Sequence, residues 1–252
     1  MIAIILAQYY GHAAGGGAYD GLSILGLLLL LGAGALGAIV QSRMMARMKE
    51  YSAAPSGMTG AEVARRMLDS YGLSDVRITH VGGQLTDHYN PMDRTVNLSD
   101  AVYSQASVAA AAVAAHECGH AVQHAQAYPW LGLRSQLVPL VSVGSRLGQL
   151  LLMVGLALVA MGSGTTVAWV GLALYAGTTV FALVTLPVEF DASRRALAWL
   201  EKSGTAQGAM HGQASTALRW AAMTNVAAAL SSIAMLVYYA LILLSRGGGS
   251  RR

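Results

Sequence analysis

The chain has 252 residues, of which 55% are hydrophobic and only 11% charged, against roughly 25% charged residues in a soluble domain; this excludes an ordinary soluble fold and indicates a membrane protein with a modest polar portion. The net charge of +4 comes from basic residues gathered in a few segments, which read as topology signals and not as a nucleic-acid footprint. A single cysteine, Cys118, excludes an intrachain disulfide and a CxxC metal or redox site, so any metal must be held by His and carboxylate.

Residues 1–7 are too short and lack the basic lead-in of a cleaved signal, so this start is expected to be retained. Residues 22–40 form an uncharged apolar run long enough, at about 1.5 Å per residue, to cross a hydrocarbon core of roughly 30 Å. A polar region follows, about 43–146, holding nine of the sixteen Lys and Arg residues. Within it Thr59-Gly-Ala-Glu62 is a capping-box pattern, continued at helical spacing by Val63, Met67 and Leu68 until Gly72. Residues 76–78 and 95–98 alternate as short strands do, and Gly82-Gly83 and Asn90-Pro91 read as turns between them. Ser107 opens an Ala-rich stretch expected to be one helix to about Gln126.

Residues 147–162 are apolar but short, so the second span is expected to begin near Pro139, a residue suited to a first helical position. Ser163-Gly-Thr-Thr166 makes a turn, 167–186 a third span, and 221–244 a fourth. Between the last two lies a second polar segment, 189–219, with Arg194, Arg195, Lys202 and Arg219. Four spans put both polar segments on one side, which the positive-inside rule makes the cytoplasm, with the N-terminus and the flexible Arg-bearing tail outside. The expected divisions are 1–42, N-terminus and first span; 43–138, cytoplasmic region with the motif helix; 139–188, second and third spans; 189–220, a second cytoplasmic segment; and 221–252, fourth span and tail.

Inside the Ala-rich helix stands His116-Glu117-Cys118-Gly119-His120. Two histidines four residues apart lie one turn apart on one face, so both can reach one zinc ion while Glu117 serves as general base toward a water. A catalytic zinc takes three protein ligands and keeps one position open. Glu189 leads for the third: it is the first charge after the third span, on a segment that returns to the side of the motif, with Pro187 placed to distort the helix and aim the carboxylate. His124, one further turn along the motif helix, is the rival, although three consecutive turns strain a tetrahedral site; a rim or supporting role suits it better. Cys118 faces away from the metal and reads as a packing residue. The fold class that follows is mainly α: a four-span helical membrane protein with a zincin-like HExxH helix and a small α+β cytoplasmic portion.

Four stretches carry a resemblance: Leu85-Thr-Asp-His-Tyr-Asn-Pro91, Val96-Asn-Leu-Ser99, Ala115-His-Glu-Cys-Gly-His-Ala-Val-Gln-His124 and Leu186-Pro-Val-Glu-Phe-Asp-Ala-Ser-Arg-Arg195. Together they closely resemble the YugP-like neutral membrane zinc metallopeptidases, nearly throughout the chain from Arg43 to the last span. The resemblance implies peptidase chemistry of a gluzincin-like kind, one Zn2+ per chain and Glu189 as third ligand. More distantly the chain is similar to the HtpX and CAAX prenyl protease group. That group usually has an Asp four residues beyond the ligand Glu, where this chain has Ser193, and Asp191 is the expected substitute as an acceptor for a ligand histidine. The same comparison makes the strand at 95–98 an edge to which a peptide could pair.

The function expected is zinc-dependent endopeptidase activity, with Glu117 accepting the water's proton and passing it to the leaving amine. His211, Arg219 and Tyr89 are polar candidates for stabilising the oxyanion, and His88 either lines the cleft or is a structural turn histidine. The partners expected are a peptide or protein substrate, membrane proteins included, and the lipid bilayer, with no nucleic acid. The bacterial-type plasma membrane is the expected site, with the active centre facing the cytoplasm. A non-catalytic zinc-binding scaffold or chaperone-like subunit is the first alternative, disfavoured because structural zinc usually has four protein ligands, often cysteines. A transporter is disfavoured because the spans hold almost no ionisable residues.

Overall fold

The structure is a computed structural model in which residues 21–247 are described; the N-terminal stretch expected to be retained and the closing residues 248–252 lie outside the described residues. In chain order the elements are α1 (Gly21–Ser52), α2 (Gly60–Ser70), β1 (Arg77–Val81), β2 (His88–Asn90), β3 (Thr95–Ser99), α3 (Asp100–Tyr103), α4 (Val108–Ala125), α5 (Pro129–Ala160), α6 (Thr166–Lys202) and α7 (Ala209–Gly247). The chain is a mainly helical membrane protein, and among the described residues α1, α5, α6 and α7 are the four helices long and apolar enough to cross a bilayer.

The portion between α1 and α5 folds as its local signals dictate. Thr59 caps α2 reciprocally: its backbone N–H donates to Glu62 Oε2 at 2.7 Å, and Glu62 N–H donates to Thr59 Oγ1 at 3.2 Å. The capped helix then buries Val63, Met67 and Leu68 in one core with Val96, Leu98 and Val108. Burying these side chains is worth roughly 1.5–3 kcal/mol apiece, so this core holds the sheet and α4 in one body. Ser107 caps α4 through Ala110 N–H at 3.2 Å.

Three expectations are corrected here. The sheet order is β1-β3-β2, with β1 parallel and β2 antiparallel to β3. The segment around His88, read as a turn, is therefore the strand β2, because Asn97 on β3 offers it a register partner in three dimensions. For the same reason the strand at 95–98 is central and has no edge for a peptide; the edges are β1 and β2. The second span does not start at Pro139: α5 begins at Pro129, which takes the first helical position, and Pro139 lies inside the helix.

The α5–α6 hairpin is set by small residues. A Cβ on Gly155 would lie 2.3 Å from Ala168 N, one on Gly171 2.3 Å from Leu152 N, and one on Gly148 2.9 Å from Leu174 Cβ. These contacts share one antiparallel register, as close-packed membrane helices with small interfacial residues do. Carried to the other end of the hairpin, that register sets Arg134 level with Glu189. Thr179 and Ser232 share a buried hydrogen bond of 2.7 Å between α6 and α7, and α6 runs on past Pro187 to Lys202, so Glu189 stands on a continuous helix.

Candidate metal centre

Convergence of the site depends on one backbone contact. A Cβ on Gly119 would lie 2.6 Å from the Ala192 carbonyl oxygen, so only glycine lets α4 and α6 approach this closely. Through that approach His116 Nε2 stands 3.3 Å from Glu189 Oε2, and His120 Nε2 stands 3.8 Å from Glu189 Oε1. One ligand atom from each of His116, His120 and Glu189 can be chosen so that all lie within 4.8 Å of one another.

The far sides of both imidazoles are occupied. Gln123 Nε2 donates to Val188 O and to Asp191 Oδ2, each at 2.9 Å, which leaves Gln123 Oε1 facing His120 Nδ1 at 3.0 Å. An acceptor at that place puts the His120 proton on Nδ1 and the lone pair on Nε2, toward Glu189. His116 Nδ1 meets Ser193 Oγ at 3.1 Å. Two imidazole Nε2 atoms and a carboxylate, backed in this way, are a donor set that fits zinc.

Glu117 lies beside this group, outside it. Its Oε2 accepts a 3.0 Å hydrogen bond from the Tyr89 backbone N–H on β2. Burial pushes its carboxyl up to about 7, into the range suited to a general base. Burial likewise pushes His120 down to about 4, helped by the nearby His116. Burial opposes the charged form of His116 too, but its hydrogen bond to Glu189 and the charges of Glu117 and Glu189 outweigh that and leave it raised.

A cavity of about 460 Å³ opens onto these groups. Its walls are Tyr89 and Met92 on one side and Leu131, Arg134, Ser135 and Val138 of α5 on the other. Among the described residues Arg134 is the only Lys or Arg that lines it, with Nη1 3.9 Å from Glu189 Oε1.

The other residues singled out in the sequence fall as follows. His88 lines the cavity, with Nδ1 2.8 Å from Thr86 O. His124 stands outside the ligand group, with Nδ1 2.8 Å from Tyr89 OH. Asp191 reaches His120 only through Gln123, is held by Arg194 and Arg195, and leaves the His116 side to Ser193. Among the described residues, His211 and Arg219 do not line the cavity, and His211 Nε2 is buried with no hydrogen-bond partner. Cys118 is fully buried with Sγ 3.6 Å from Ala64 O, and burial pushes its thiol up.

Sequence reasoning missed Gln123, Ser193 as a partner, and Arg134. Gln123 was findable, since three residues beyond His120 is the same helix face. Arg134 was not, because its level is set by packing between two helices.

A family described as "Putative neutral zinc metallopeptidase" matches residues 26–244 of this chain. "Putative membrane protease YugP" of Bacillus subtilis (strain 168) is 39% identical over 224 residues, covering 88% of this chain and 98% of that protein. No solved structure matches the chain.

Proposed function

This chain belongs to that neutral zinc metallopeptidase family, and on this premise we propose that it is a membrane-embedded zinc-dependent endopeptidase with its centre facing the cytoplasm of a bacterial-type plasma membrane. The observation that carries the reading is the convergence of His116, His120 and Glu189 beside a buried Glu117 at the floor of one cleft. His116, His120 and Glu189 are the proposed ligands. Bound there, zinc polarises the scissile carbonyl and makes a water more acidic.

Glu117 accepts the proton of the attacking water and returns it to the leaving amine. The Tyr89 N–H holds its carboxylate beside the proposed ligands. Gln123 and Ser193 hold the imidazoles in their working tautomer and orientation. Arg134 faces the cavity with the positive charge suited to developing negative charge on the substrate, in place of His211 and Arg219. The free edge at the cleft belongs to β2, where an extended peptide can lie.

The test is cleavage of casein and of a peptide library by purified protein, with and without a chelator. Glu117→Gln keeps the shape and loses the acceptor; its expected effect is retained zinc and a drop in turnover of about 10²–10⁴-fold. Near-normal turnover at full zinc content rejects the mechanism.

A further inference from the structure

The cleft wall on α5 does not stop at the cavity. Leu131, Arg134, Ser135 and Val138 line it, and their positions share one face of the helix. At the same helical spacing that face continues through Ser142, Ser145, Arg146 and Gln149. Ser142, Arg146 and Gln149 are exposed, and Arg146 has no ion pair or hydrogen bond among the described residues. Among the other described helices, α5 packs chiefly on α6, through the Gly148 and Gly155 side, about a quarter-turn away from this face.

The face lies at membrane depth. Exposed Trp130 and Trp169 suit the two interfacial belts where tryptophan collects. By the hairpin register Trp169 is level with Val154, 24 residues from Trp130, or about 36 Å of helix. That separation fits a hydrocarbon core of roughly 30 Å with part of each headgroup layer. Arg134 and Glu189 fall one turn inside the Trp130 belt, and Arg146 falls about 18 Å deeper. The metal cleft is thus at the bilayer surface, and a polar stripe runs from it into the bilayer.

A charged side chain at that depth needs a partner or a water-filled cavity. We propose that the stripe seats the transmembrane segment of the substrate, a membrane-anchored polypeptide with a carboxylate or amide in its span to meet Arg146. The residues adjoining that span rise into the cleft and are cut next to the membrane. This rests on the peptidase reading. Continuity with the cleft favours the substrate over a second copy of the chain, because a segment lying on Ser142 and Gln149 leads directly to Val138 and Glu189.

The experiment uses full-length protein with Glu117→Gln in proteoliposomes, together with a single-span reporter carrying a glutamine at mid-span. A thiol-reactive cross-linker is placed at Gln149→Cys or, as a control on the opposite face of α5, at Leu140→Cys; Cys118 is fully buried and does not compete. Capture of the reporter from position 149 and not from 140 is the expected result. Equal capture from both, capture from neither, or cross-linking of 149 to a second copy overturns the proposal. In the Glu117 protein, Arg146→Leu should lower the ratio of anchored to soluble peptide cleavage about tenfold, the scale of losing one interaction of about 1.4 kcal/mol. An unchanged ratio also overturns it. Absence of any cleavage by zinc-loaded protein in detergent instead rejects the peptidase reading, and the cross-linking result then decides by itself whether the surface seats a span.

Discussion

Glu189 and His124 are the two residues between which the metal set divides. Glu189 has one oxygen toward each histidine, at 3.3 and 3.8 Å, whereas His124 turns its Nδ1 to the Tyr89 hydroxyl. Glu189→Ala removes the proposed anionic ligand and leaves two histidines; zinc affinity is expected to fall by a large factor. His124→Ala should keep the metal. Metal content of both purified variants, with folding checked by circular dichroism, decides: full zinc in Glu189→Ala with loss in His124→Ala reverses the assignment. Position 193 depends on the same backbone approach as the ligands. Ser193 reaches His116 Nδ1 with a short side chain, because Gly119 lets the α6 backbone come near enough for it to suffice.

At the scale of elements, the α4–α6 contact is where a helix rule and a packing rule oppose each other. Gly119→Ala would raise intrinsic helix propensity by about 1 kcal/mol. The added Cβ, however, would lie 2.6 Å from the Ala192 carbonyl oxygen, a backbone atom that cannot rotate away. Overpacking of this kind costs about 1–3 kcal/mol, so the clash wins. The expected outcome is a lower unfolding temperature together with weaker zinc binding, since parting the helices draws Glu189 from the histidines. Differential scanning calorimetry and metal titration check it; a stabilised variant with unchanged affinity would show that the contact does not set the site.

For the whole molecule, the proposed topology, in which all four candidate helices cross the bilayer, puts the metal region and the α5–α6 turn on opposite sides. A cysteine label at Gln84 should therefore report the cytoplasm and one at Gly164 the outside, read with a membrane-impermeant reagent on intact cells. Both on one side would remove α5 or α6 as a span; the two exchanged would invert the proposed orientation while leaving the fold intact.

Composition and run length were enough to find the four spans, because a bilayer demands a continuous apolar segment with its backbone bonded internally. The α2 cap and the pairing of His116 with His120 were also legible, since both are relations within one turn of one helix. What the sequence could not supply were relations between elements. The strand at His88 exists because β3 lies beside it, and the start of α5 at Pro129 adds turns whose apolar run is interrupted by Arg134, Ser135 and Gln136 and which no side-chain cap announces. The places of Gln123, Ser193 and Arg134 around the histidines and Glu189 follow from Gly119 and the glycines of the hairpin. Local bonding rules act over three or four residues and so are written along the chain, whereas the register between helices is decided by which small residues let backbones touch, and only the folded structure sums those contacts.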